Sequence, residues 1–165
     1  MSLKITINED IKSAMKEKDS IKLESLRAIK SAIILFETKD SGSNELNKSD
    51  EIKILQRLVK QRKESAQIFE SQNRNDLADK EITQSEFISE YLPKQLSEKE
   101  IEDIVLSIIK QTNSSGMKDM GKVMGMATKE LSGKADGKTI SQIVRKNLNN
   151  WDQLMIYSWG SSSTG

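Results

Sequence analysis

Apolar residues recur along this chain in steps of three and four, the spacing of one face of an α-helix. Ile101, Ile104, Val105, Ile108 and Ile109 mark such a face. Ser97 and Glu100 stand just ahead of it in the form of a capping box, where each side chain satisfies the other's backbone amide. A helix is expected to start there and to end at "TNSSG". A second should run from about Met117 to Leu131, with Gly133 as its left-handed stop. Asp136 can cap a third, whose Ile140, Ile143, Val144 and Leu148 again share a face.

Upstream, the same spacing predicts four helices. A short one near residues 8–18 carries Ile11 and Met15, and a longer one from about Ser20 to Thr38 carries Leu26, Ile29, Ile33 and Phe36. Ser49 can cap the third, with Ile52, Leu55, Val59, Ala66 and Phe69 in its seam. "SQNRND" separates it from a fourth that ends at Leu92. Pro93, the only proline, disfavours the helical region at the residue before it, so the domain boundary is placed there. Runs dense in Val, Thr and aromatics are missing, which argues against strands. The expected fold is all-α: an N-terminal helical hairpin bundle over residues 1–92, a small three-helix domain over 93–149, and a tail over 150–165. Trp151, Tyr157 and Trp159 of that tail could dock on the bundle or on another chain, and its ending "GSSSTG" looks like a flexible linker or an appended remnant.

Polar residues interrupt the pattern in two places. Arg62 falls within the apolar seam of the third helix while Lys53, Arg57 and Lys60 lie on another face. Glu81 falls in the seam of the fourth among Leu77, Ile88 and Tyr91, so an Arg62–Glu81 pair is expected, as a helix-register device or as part of a binding site. The second interruption is "SSGMKDMGKVMGMATKELSGKADGK", residues 114–138, with five of the eight glycines, four of the seven methionines and five lysines. On a helical wheel, Met117, Met120, Val123, Met124, Ala127 and Leu131 form an apolar face, for which the methionines supply an adaptable core. Lys118, Lys122 and Lys129 line up opposite. Gly121 and Gly125 lie between, at the margin of the core, where a strip without side chains admits another backbone: a neighbouring helix or a sugar-phosphate chain. Gly133 and Gly137 extend this set of close-approach positions. Lys134, Lys138 and Arg145 can continue the basic surface into the third helix of the tail domain.

Charge distribution supports the polyanion side of that choice. The net charge of the whole chain is only +1. Residues 1–92 hold 16 Lys/Arg against 17 Asp/Glu, whereas residues 110–148 hold 8 against 3, so the positive excess sits in the small domain. Affinity from such a surface falls as salt rises and carries little base specificity. Aromatic platforms for single strands are missing before Trp151, which leaves recognition by shape and phosphate.

Composition narrows the chemistry. The chain has no cysteine and no histidine, which removes disulfides, thiolate and Ser-His nucleophile systems, and nearly every zinc site. No apolar run approaches the roughly 20 residues that span a bilayer, and the N-terminus lacks the apolar core of a signal peptide. A cytoplasmic protein without a membrane partner is expected. No phosphate-cradling glycine loop or metal-carboxylate cluster is visible. The acid pairs Asp50–Glu51 and Glu102–Asp103 read as solvated helix caps. No catalytic residue, metal or cofactor is assigned.

"KQRKESAQIFESQNRNDLADKE" (Lys60–Glu81), "YLPKQLSEKEI" (Tyr91–Ile101), and "MKDMGKVMG" with "GKADGKTISQIVRKNL" (within Met117–Leu148) together resemble the YqeY-like proteins of the GatB/YqeY family. These are standalone relatives of the tail of GatB, a component of the aspartyl/glutamyl-tRNA amidotransferase. The resemblance covers about residues 1–148. It implies an all-helical protein of two domains and tRNA binding on the surface bearing Lys118, Lys122, Lys134 and Lys138. It also implies a carbon-nitrogen ligase activity with glutamine as amide donor. Three readings follow: a noncatalytic tRNA-associated protein, accessory to amidotransferase or other translation proteins; a protein-interaction module whose glycine strip receives a partner helix; and an amidotransferase component active only in a complex.

Overall fold

The computed structural model of the chain describes residues 2–39 and 45–160, with side chains through residue 150. Seven α-helices and no strand occur among the described residues, and the chain divides into two compact units, Met1–Pro93 and Lys94–Gly165.

The first unit holds α1 (Leu3–Glu17), α2 (Ser20–Thr38), α3 (Lys48–Ser71) and α4 (Asn75–Ser89). Helix α1 starts five residues before the expected position because Ser2 caps it, accepting the Ile5 amide at 3.4 Å. Its buried face is Leu3, Ile7 and Ala14, with Ile11 half-buried beside them, and this register turns Met15 outward, 56% exposed, contrary to expectation. Helix α2 buries Leu26, Ile29 and Ile33 as its spacing predicts. Helix α3 is capped by Asn47, not Ser49: the Asn47 side chain accepts the Asp50 amide at 2.9 Å and Asp50 returns the bond at 3.4 Å. Ser49 falls inside the first turn, past the point where a hydroxyl can reach the orphan amides.

Glu51, read from sequence as a solvated cap, is only 8% exposed. Its Oε1 accepts the Leu3 amide at 3.2 Å, and Lys48 Nζ lies 3.7 Å from its Oε2. The carboxylate therefore sits at the positive end of the α1 dipole and occupies an amide that helix geometry leaves without a partner. It ties the start of α3 to the start of α1.

A left-handed Asn73, φ 58°, turns the chain from α3 into α4. The expected Arg62–Glu81 pair does not form. Arg62 Nε donates to Gln84 Oε1 at 3.1 Å and Nη1 donates to the Leu58 carbonyl at 3.2 Å. Gln84, buried and one turn beyond Glu81, occupies the place facing Arg62, and Glu81 stays at the half-buried margin. A neutral acceptor avoids desolvating a second charge. Just beyond α4, Tyr91 packs on the core and donates its phenol proton to Asp10 Oδ2. Burial, and then that carboxylate, raise the Tyr91 pKa above its ordinary value of 10.0.

The second unit holds α5 (Glu98–Thr112), α6 (Met120–Glu130) and α7 (Gly137–Gly160), with a 3-10 turn over Met117–Asp119 ahead of α6. The capping box is in place: Ser97 Oγ accepts the Glu100 amide at 3.2 Å and Glu100 accepts the Ser97 amide at 3.0 Å. Ile101, Val105, Ile108 and Ile109 of α5 close on Val123, Ala127 and Leu131, and on Ile140, Val144 and Leu148 of α7. Gly133 is left-handed at φ 77°, and Asp136 accepts from the Lys138 amide at 3.0 Å and the Thr139 hydroxyl at 3.1 Å. Helix α7 continues to Gly160, past residue 149 where the domain was expected to end. The expected docking of Trp151, Tyr157 and Trp159 falls on side chains outside the described ones, and most of "GSSSTG" lies beyond the described residues.

Two stability measurements test these contacts. Glu51→Ala strands the Leu3 amide and is expected to lower the unfolding free energy of the first unit by about 1–2 kcal/mol in urea titration. Glu51→Gln, which keeps an acceptor oxygen, should recover most of that loss. Because the folded pKa of Tyr91 is raised, its contribution is complete below the unfolded value near 10 and is lost as pH rises through the folded value. Alkaline titration should therefore lower the melting midpoint of the native protein more steeply than that of Tyr91→Phe.

Candidate functional site

Helix α6 has a strict inner face and a bare outer one. Val123 and Ala127, with Leu131 at its C-cap, are fully buried, and Met120 and Met124 pack half-buried beside them. Met117 and Met126 are each 41% exposed, so the methionine-rich segment is core on one side only. Lys118, Lys122 and Lys129 are exposed on the outer side, and so are Gly121 and Gly125. A Cβ built on either glycine would meet nothing within 4 Å. The two glycines thus stand fully on the solvent face, not at the core margin, and no described helix of this chain uses the space.

The other glycines separate by role. Gly133 is buried, and its left-handed backbone shapes the turn after α6, a conformation that other residues adopt at a cost. Gly137 is exposed at the start of α7 with open space around it. The turn between them is fixed by the segment that follows Pro93: the Leu96 amide donates to the Lys134 carbonyl at 3.0 Å, and Gln95 Nε2 donates to the Gly133 carbonyl at 2.8 Å. Lys134 therefore projects from a held backbone. Lys138 and Arg145 are exposed two turns apart on α7. Lys146, absent from the sequence assignment, is exposed on the same side of α7, opposite Ile140, Val144 and Leu148. Its eight-residue spacing from Lys138 was the available signal.

The cations of this unit form no ion pair among the described residues. The ion pairs found among the described residues all fall in the first unit: Lys4–Glu37, Lys22–Glu17, Lys48–Glu51, Arg74–Asp76 and Lys80–Glu24. Two acids of the basic region accept from nearby backbone amides. Asp119 Oδ2 accepts the Ser115 amide at 2.8 Å, and Asp136 caps α7. Surface cations without partners raise the local potential over roughly a Debye length, about 8 Å at physiological salt. The arrangement can hold an extended polyanion: ammonium groups supply attraction, and the glycine strip lets a backbone come close.

No group of three acidic, His or Cys side chains among the described residues is placed to hold a metal ion, and Arg62, with its Gln84 and Leu58 contacts, lies in the other unit as a packing feature. No described helix is long and apolar enough to cross a membrane.

Comparison with known proteins adds a lineage. The family model described as "Yqey-like protein" matches residues 4–148. A glutamyl-tRNA(Gln) amidotransferase component of Thermococcus sibiricus is 44% identical over 57 residues, which is 32% of this chain and 9% of that protein. "Altered inheritance of mitochondria protein 41, mitochondrial" of Meyerozyma guilliermondii is 32% identical over 124 residues, 73% of this chain and 64% of that protein. The protein of the same name from Clavispora lusitaniae is 36% identical over 87 residues, 53% of this chain and 49% of its own length. The chain thus spans under a tenth of the amidotransferase component and from half to just under two thirds of these two mitochondrial proteins.

Because both outer-face glycines are helical and have open space around them, Gly121→Ala and Gly125→Ala should each stabilise the second unit by about 0.5–1 kcal/mol in thermal or urea unfolding.

Proposed function

The chain belongs to the YqeY-like protein family, and from that premise we propose that it is a noncatalytic, tRNA-associated helical protein whose second unit lies against the RNA backbone. The observation that carries this reading is the outer face of α6, where exposed cations without ion-pair partners flank two glycines that nothing described in the chain covers. Lys118, Lys122 and Lys129 supply one part of the surface, and Lys134, Lys138 and Arg145 the rest. Phosphate contacts of this kind position a protein on RNA without reading bases. The name of the amidotransferase relative, with its glutamyl-tRNA(Gln), supports tRNA as the polyanion, and amidotransferase or other translation proteins as partners. The reading places the protein in the cytoplasm, where tRNA is plentiful; the names of two relatives place those proteins in mitochondria, a second compartment that holds tRNA.

Carbon-nitrogen ligase chemistry with glutamine as amide donor would have to come from a complex, since the residues above supply charge and shape but no nucleophile–base pair. A partner helix is the second reading, favoured by Met117 and Met126, which expose apolar surface near the open glycines.

Filter binding of total tRNA to the full chain at two ionic strengths separates these. Lys118→Glu with Lys122→Glu should weaken binding at least about tenfold and lower the slope of log affinity against log salt by about two. Unchanged affinity and slope would defeat the RNA reading. Partner binding that ignores these reversals but is lost in Gly121→Leu or Gly125→Leu would favour the helix reading, and glutaminase activity in the purified chain would favour an amidotransferase component.

A further inference from the structure

We infer that the exposed face of α3 carries a second RNA-backbone contact, formed by Lys53, Arg57 and Lys60 in the first unit and independent of the surface on the second. The three residues stand at i, i+4 and i+7, so they form one row along the helix. The row lies opposite Leu55, Val59 and Ala66, which are buried, and all three of its cations are exposed.

Alignment singles the row out: Lys12, Lys16, Arg27, Lys30 and Lys63 are also exposed without an ion pair among the described residues, but none of them stands in a row of three cations on one helix face. The first unit is slightly acidic overall, and five of its cations lie within 2.9–3.9 Å of a carboxylate. None of the three in the row does so among the described residues. Of the acids nearest in sequence, two are engaged and the third forms no ion pair. Asp50 closes the Asn47 capping box, Glu51 is buried on the Leu3 amide, and Glu64, one turn past Lys60, makes no ion pair with it. Lys53 faces Arg57 across one turn and Arg57 faces Lys60 across the next, and like charges at these spacings repel. No ion pair with a described residue offsets that repulsion, and an external anion would.

Dimensions and surroundings favour nucleic acid. Seven residues advance about 10 Å along the axis. A duplex strand presents one phosphate for about every 3.4 Å of its axis, so three cations face about three phosphates. Gln61, Glu64 and Gln67 beside the row are polar and exposed, and Ile68, 57% exposed two turns beyond Lys60, is too little apolar surface for insertion into a lipid surface. No aromatic side chain stands in the row, so contact is to phosphate and not to stacked bases.

The test uses the full chain and total tRNA. Neutralising the row with Lys53→Gln, Arg57→Gln and Lys60→Gln should lower the slope of log affinity against log salt by about two to three and weaken binding about tenfold or more at low salt. The melting midpoint should hold or rise, because two repulsive spacings disappear. Lys16→Gln, which removes an exposed cation of α1, controls for net charge and should leave the slope in place. A slope equal to the native one, an equal effect from Lys16→Gln, or a loss of binding to anionic phosphatidylserine vesicles with tRNA binding intact would each overturn the inference. A row variant that binds normally while Lys118→Glu with Lys122→Glu does not removes only this second contact. The reverse outcome removes the C-terminal reading and leaves this one standing.

Discussion

The hydrogen bond from the Leu96 amide to the Lys134 carbonyl, with Gln95 on the neighbouring Gly133 carbonyl, closes the C-terminal unit. Three helices with a core of Ile, Val, Leu and Ala sit near the lower size limit for independent folding, so each buried backbone group needs a partner. The segment after Pro93 meets that need by lying on the turn between α6 and α7. Gly133 makes the turn possible, because its left-handed backbone is a conformation most side chains avoid. With the turn held from one side and Val123, Ala127 and Leu131 buried on the other, the outer face of α6 bears no packing duty. It is available for glycines and lysines.

That division explains a helix of 11 residues that keeps two interior glycines. Each forfeits on the order of 1 kcal/mol relative to alanine, and total stabilities of about 5–15 kcal/mol make the loss appreciable. The core and the caps of the unit offset it: Ser97 with Glu100, Asn113 in the left-handed region, and Asp136. Asp119 and Asp136 have a further effect. Both turn their carboxylates to nearby backbone amides, and the lysines around them stay without ion-pair partners. Local structure and surface potential therefore come from the same residues.

The near-neutral net charge of the chain conceals two kinds of surface. In the first unit, five cations lie beside carboxylates, and the row on α3 gathers three of the others on one helix face. In the second, the cations outnumber the acids, and Asp119 and Asp136 accept from nearby backbone amides.

Much of the fold was legible in the sequence because it is written in contacts within one or two turns. The Ser97–Glu100 box, the bounds of α2, the left-handed Gly133, the Asp136 cap and the inner faces of α5, α6 and α7 each follow from residues three, four or seven apart. Where local signals competed, the reading slipped: Ser2 started α1 earlier than its apolar spacing suggested, and Asn47 capped α3 in place of Ser49. The proposed basic surface was legible as a cluster of residue types; Lys122 and Lys129 could be placed on one face of α6 by spacing, whereas Lys118 lies in the 3-10 turn ahead of that helix. Only the tertiary structure decided that Gly121 and Gly125 face open space, that Glu51 is buried on an amide 48 residues away, and that Arg62 meets Gln84, 22 residues away, instead of Glu81. Periodicity gives the direction in which a side chain leaves its own helix. What stands at the far end is set by how helices distant in sequence pack.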